Sequence, residues 1–143
     1  MNVIDQLLDT ISKKGAAYAT LIDPDKKNDT TIESSVAAAN ESDVDALFVG
    51  GSLMMDGRYT ERVKRIKDAA RIPVIFFPGG VGQLNSHYDA MLFMSVISGR
   101  NPHYLIGEQV IAAPVVKDLG IETIATGYMI LDGGTGSTVE FMS

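Results

Sequence analysis

Thr20-Leu21-Ile22-Asp23-Pro24-Asp25-Lys26 is the stretch that decides how this chain is read. The apolar run over residues 17–22 predicts a buried strand, and it stops abruptly at two acids flanking a proline. Acids do not sit inside a buried strand, so Asp23 and Asp25 belong at or beyond its C-terminal end. In a parallel α/β sheet that edge is where ligands bind. Asp-x-Asp offers hard oxygen ligands suited to Mg²⁺, Pro24 stiffens the turn, and Lys26 adds a cation suited to a phosphate. The plainer reading is a turn whose acids cap the following helix.

Working outward, the same pattern repeats. Ile4, Leu7, Leu8 and Ile11 mark one face of a leading amphipathic helix, closed by Lys13-Lys14-Gly15. After the acidic turn, Thr30-Thr31-Ile32-Glu33 has the form of a capping box, and Ile32, Val36 and Ala39 share a helix face. A second strand, Ala46-Leu47-Phe48-Val49, runs into Gly50-Gly51-Ser52. Two glycines there let backbone N–H groups approach a ligand, and the serine hydroxyl can reach a metal or phosphate; a simple glycine turn is the alternative. The 59–70 stretch predicts a helix with Val63, Ile66 and Ala70 inward and Glu61, Arg62, Lys64 and Lys67 outward.

Pro73-Val74-Ile75-Phe76-Phe77 predicts the third strand, ending in Pro78-Gly79-Gly80. Residues 90–94 predict the fourth, 95–101 a loop, and 103–119 a helix kinked or broken at Pro114. Residues 122–129 predict the fifth. Near-continuous apolar strands alternating with amphipathic helices mean a parallel sheet covered by helices, in one domain over residues 1–143.

Composition narrows the function classes. Hydrophobic residues at 45% with 21% charged indicate a folded core, and the absence of cysteine excludes disulfides and thiolate metal sites. A net charge of −6 gives no footprint for nucleic acid. No apolar run approaches the roughly 18–20 residues that cross a bilayer. The N-terminal pattern is amphipathic, with Asp5 and Asp9, so a cytoplasmic protein is expected. Gly133 to Ser137 lacks the lysine a phosphate-binding P-loop requires.

Several motifs in order then carry a family resemblance. Leu21-Ile22-Asp23-Pro24-Asp25-Lys26, Val49-Gly50-Gly51-Ser52, Phe77-Pro78-Gly79, the run from Leu92 to Pro102 and Ala125-Thr126-Gly127-Tyr128 cover nearly the whole chain. With them the sequence resembles the geranylgeranylglyceryl phosphate synthases and their bacterial heptaprenylglyceryl phosphate relatives. The resemblance implies a TIM (β/α)₈-type barrel, here its first five strands. It implies a prenyltransferase that joins sn-glycerol 1-phosphate to a prenyl diphosphate through an ether bond in membrane lipid biosynthesis. Mg²⁺ is the implied cofactor, with Asp23 and Ser52 in the positions associated with it. Those two residues are expected to face each other across the ends of strands one and two. Asp25, Lys26, Gly50, Gly51 and Tyr104 are substrate-binding candidates; Tyr104 either lines the prenyl groove or is an ordinary core tyrosine. No residue is assigned as catalytic base. Some relatives carry a lysine where Leu21 stands, so no phosphate contact is carried over to that position. His87 and His103 match no family motif and are read as solvated loop positions.

A full (β/α)₈ barrel takes about 200–250 residues. The Tyr-Leu-Glu motif and two glycine-rich loops that bind glycerol phosphate in the family do not occur in this sequence. The expectation is therefore an N-terminal part of a synthase, inactive alone and self-associating as a homo-oligomer through its open edges. The alternative is a catalytically dead partial barrel that still binds Mg²⁺ or diphosphate.

Overall fold

In a computed structural model of the protein, residues 1–51, 56–131, 133, 134, 136 and 141 are described. The order is α1 (Val3–Lys14), β1 (Ala19–Ile22), a 3₁₀ turn (Lys26–Asn28), α2 (Ile32–Glu41), β2 (Ala46–Val49) and α3 (Tyr59–Ala69). There follow β3 (Val74–Phe76), a 3₁₀ turn (Val81–Gln83), β4 (Ala90–Val96), a π turn (His103–Gly107), α4 (Glu108–Leu119) and β5 (Glu122–Tyr128). The five strands form one sheet in the order β1-β2-β3-β4-β5, and every pairing is parallel. Each strand lies beside its sequence neighbour. A doubly wound sheet would reverse its order at a switch point, whereas a barrel wall adds strands in one direction. The sheet is the first five strands of a (β/α)₈ barrel.

Successive side chains on a strand point to opposite faces, and each face has its own core. Toward the helices, Ile22, Leu47, Val49, Val74, Phe76 and Met91 meet Ile32, Val36, Val63, Ile66, Ala112 and Val116. The opposite, inner face carries Ala46, Ile75 and Ala90 with Ala19, Phe48, Leu92 and Ile124, and α1 adds Val3 and Leu7. Helix α1 is held there by Glu122, whose carboxylate accepts the N–H groups of Val3 at 2.6 Å and Ile4 at 3.0 Å. A carboxylate at a helix N-terminus satisfies orphan donors and complements the dipole, and Asn2 makes no side-chain cap of its own.

The sequence expectations need correction at several points. Strand β1 starts at Ala19 rather than residue 17, and only Ile22 on it is fully buried. Leu21, on the inner face, is 55% exposed, because β1 ends the sheet and no opposite wall is present among the described residues. The capping box at α2 does not form: Thr31 is the N-cap, and its hydroxyl donates to the Asn28 carbonyl instead. Strand β4 continues to Val96, two residues past the expected end. The helix expected over 103–119 is two elements, with its irregularity at the π turn. Helix α4 then continues through Pro114 to Leu119. Pro114 and Val110, the residue whose carbonyl loses its helical partner, both lie on the exposed face, open to solvent. Arg62 does not point outward; it is 2% exposed.

Candidate functional site at the C-terminal edge of the sheet

Asp23 is the first residue past β1 and is half-buried. Its Oδ1 accepts the Asp25 N–H at 3.2 Å, and its backbone carbonyl accepts Asn28 Nδ2 at 2.9 Å. Asp25 is engaged locally: its carboxylate accepts the Lys27 N–H at 2.9 Å and caps the 3₁₀ turn, as the plainer reading anticipated. Lys26 is exposed. The lysine that faces Asp23 is Lys27, with Nζ 3.8 Å from Oδ2, a pairing one turn along that the motif reading passed over.

The acidic turn rests on a buried cation. Arg62 reaches under it from α3, with Nη1 3.4 Å from the Pro24 carbonyl. The guanidinium also binds both carboxylate oxygens of Asp56 at 2.9 Å each, a bidentate pair. That pairing, then the N–H of Arg58, holds the Asp56 carboxyl down at about 2. Burial raises the Tyr59 hydroxyl to about 12, and the charge of nearby Asp23 adds to the effect. The Tyr59 and Tyr88 hydroxyls lie 3.3 Å apart, and burial pushes Tyr88 upward as well, so both stay protonated at neutral pH. Tyr88 also stacks on Phe76 with ring centroids 4.6 Å apart.

Beside Asp23 runs the turn after β2. A Cβ on Gly51 would stand 2.4 Å from Asp23 Oδ1, and one on Gly50 would stand 1.8 Å from the Phe77 carbonyl oxygen. Neither position has room for a side chain. The Gly50 N–H is engaged by the Ile22 carbonyl at 3.2 Å, extending the β1–β2 pairing. Ser52 lies outside the described residues, so its expected position opposite Asp23 is not described; its neighbour Gly51 is in contact with that carboxylate.

The next turn, Pro78-Gly79-Gly80, separates this polar corner from a shallow apolar cleft. Pro78, Val81, Leu84, Phe93, Met94 and Ala112 are among its walls, with Glu108 and Gln109 also lining it. Glu108 anchors that wall by accepting the Val81 N–H at 3.0 Å and pairing with His103 Nε2 at 2.7 Å. His103 is therefore solvent-exposed, as expected, but it opens the π turn and contacts Glu108 rather than lying in a loop. Tyr104 is half-buried on the same turn, edge-on to His103 with centroids 5.0 Å apart. On the inner face, Phe77 bridges Phe48 (5.9 Å) and Tyr128 (5.7 Å) in an aromatic row.

The profile of the PcrB family matches residues 9–141. The chain belongs to the PcrB family. It is 43% identical over 141 residues to the geranylgeranylglyceryl phosphate synthase of Chitinophaga pinensis, covering 99% of this chain and 56% of that protein. It is 38% identical over 136 residues to the synthase of Methanosphaera stadtmanae, covering 94% and 56%. Among solved structures, the (S)-3-O-geranylgeranylglyceryl phosphate synthase of Thermoplasma acidophilum, in complex with its substrate sn-glycerol-1-phosphate, superposes with a TM-score of 0.78 at 30% identity. That match covers 94% of this chain and 55% of the other. The chain thus spans about half the length of the relatives it matches. No helix among the described residues is long and apolar enough to cross a membrane.

Proposed function

We propose that this chain carries the diphosphate and prenyl side of a geranylgeranylglyceryl phosphate synthase site, and that the whole enzyme transfers a prenyl group to sn-glycerol 1-phosphate in membrane lipid biosynthesis. A cytoplasmic location and homo-oligomeric assembly are part of the proposal. The observation that carries it is the juxtaposition of opposite chemistries at one sheet edge. A carboxylate and two lysines lie on one side of the Pro78-Gly79-Gly80 turn, and an apolar cleft lies on the other. A prenyl diphosphate has that polarity.

The donor set suits Mg²⁺. Among the described residues no three His, Cys, Asp or Glu side chains converge into a cage. Mg²⁺ needs none, since it keeps several waters and is bound through one or two carboxylates together with substrate phosphates. Asp23, pressed against the side-chain-free Gly51, offers such an oxygen, and Ser52 would offer a second. When bound, Mg²⁺ supplies charge neutralisation for a departing diphosphate.

The chain's own residues do the rest. Lys26 and Lys27 place positive charge at the rim where phosphate oxygens arrive. The cleft walls take the prenyl chain out of water, with Tyr104 on its approach. In the reaction the glycerol hydroxyl oxygen bonds to prenyl C1, the bond from C1 to the diphosphate oxygen breaks with its electron pair, and the hydroxyl proton passes to a base. Such a displacement depends on orientation, which can supply roughly 7–11 kcal/mol of a barrier. The glycerol phosphate itself is proposed to be held by the part of the barrel beyond these five strands.

Calorimetry with inorganic pyrophosphate tests the reading. The 143-residue chain is expected to bind pyrophosphate only with Mg²⁺ present, and Asp23→Asn is expected to weaken that binding at least about tenfold, or 1.4 kcal/mol. Binding unchanged by removing Mg²⁺ or by Asp23→Asn would overturn it.

A further inference from the structure

Gln83 ends the second 3₁₀ turn and is 3% exposed. Both ends of its side-chain amide are engaged. Nε2 donates to the Gly51 carbonyl at 2.8 Å, and Oε1 accepts the Gly79 N–H at 2.8 Å. A carbonyl on one side and an N–H on the other fix the amide in a single orientation. The bridge ties the turn after β2 to the turn after β3, across 32 positions of sequence. Gln83 is itself held through its backbone carbonyl, which accepts from Asn85 Nδ2 at 3.1 Å and the Tyr88 hydroxyl at 3.4 Å.

The consequence falls on Asp23. Its carboxylate is in contact with Gly51, whose Cα leaves no room for a methyl group. Among the described residues its side-chain polar contacts are 3.2 Å to the Asp25 N–H and 3.8 Å to Lys27. The position of Gly51 therefore governs which way that carboxylate faces, and Gln83 governs Gly51. We infer that Gln83 is a positioning residue: it locks the Gly50-Gly51 turn against Asp23 and so sets the carboxylate that, on the reading proposed above, meets Mg²⁺ and diphosphate. No part of this role requires Gln83 to touch a ligand.

A second amide supplies the control. Asn40 makes the same two-way bridge near the opposite end of the sheet, donating to the Ala69 carbonyl and accepting the Arg71 N–H, both at 2.9 Å. Gln83→Met and Asn40→Ala each remove one such bridge, so a purely structural role predicts similar effects. The 143-residue chain, its two variants, inorganic pyrophosphate and Mg²⁺ form the experiment, with the ¹³C resonance of the Asp23 carboxyl followed in the free protein. Gln83→Met is expected to weaken Mg²⁺-dependent pyrophosphate binding about tenfold and to move the Asp23 resonance. Asn40→Ala is expected to change binding less than about twofold, under 0.4 kcal/mol, and to leave that resonance in place. Equal effects of the two variants, or an unmoved Asp23 resonance in Gln83→Met, would overturn the inference. Should the unmodified chain fail to bind Mg²⁺-pyrophosphate, the functional reading falls, while the resonance still decides whether Gln83 positions Asp23.

Discussion

At the scale of single residues, burial and pairing divide the charged groups into those that shape the site and those that only solvate it. Arg62 is a full charge nearly out of water, made tolerable by the bidentate Asp56 pair and the Pro24 carbonyl. Removing one partner of such a pair leaves the other uncompensated, which is costlier than losing the pair. The Asp56 carboxyl drops from its ordinary 3.8 to about 2 on folding. A depressed folded value contributes stability that is present above 3.8 and lost as pH falls toward 2. Melting temperature should therefore fall through that window. Asp56→Asn should be less stable at neutral pH and should show a shallower acid-side loss. Parallel acid curves for the two proteins would contradict the assignment. Arg62 also shows why the sequence misled. Helical periodicity set it beside Glu61 and Lys64 on a polar face, and nothing in α3 reveals that an acid and a carbonyl from two other segments meet it. Gln83 was unreadable for a related reason, since a lone amide in a polar passage carries no periodic signal.

Elements tell a different story. The alternation of strand and helix was legible because parallel strands covered on the helix side must be apolar, and Leu47, Val49, Val74 and Phe76 are completely buried there. The acidic and glycine turns at the strand ends were legible too, since such residues have no other place in an α/β wall. What did not show was the π turn, because five residues of i→i+5 bonding leave no distinct pattern in an apolar helix-like run. The open edge at β1 was legible from the strand count, since five strands cannot close a barrel, and Leu21 at 55% exposure is its trace on the inner face. The β2–β3 junction offers a test at this scale. Gly50→Ala would drive a methyl group into the Phe77 carbonyl at 1.8 Å, so the strands must part. We expect a loss of roughly 1–3 kcal/mol or more in urea denaturation, the range for overpacked cores. Wild-type stability in that variant would mean the strand ends separate freely.

For the molecule as a whole, the decisive fact is an arc of five parallel strands whose first and last members are edges among the described residues. The inner face shows Leu21 and the half-buried Phe48, Phe77 and Tyr128, and α4 presents Val110 at 74% exposure beside Ile111 and Val115. Apolar surface of this kind, if about 400 Å² were covered, would contribute on the order of 10 kcal/mol before the entropic costs of association. The 143-residue chain is therefore expected to self-associate in light scattering, and Leu21→Lys, which places a charge on the open face, should shift it toward monomer. A monodisperse monomer at micromolar concentration would refute the expectation.

The clasp between Glu122 and the first turn of α1 has a consequence in time. It joins positions 119 apart, nearly the full span of the described chain. Helix α1 leaves the ribosome well before residue 122, yet the carboxylate that completes its N-terminus arrives only with β5. Until then the nascent helix has orphan N–H groups and an apolar flank with only part of its berth, and its docking is slow in the manner of all long-range contacts. Docking of α1 must wait for residue 122, which makes β5 the step that commits the barrel floor.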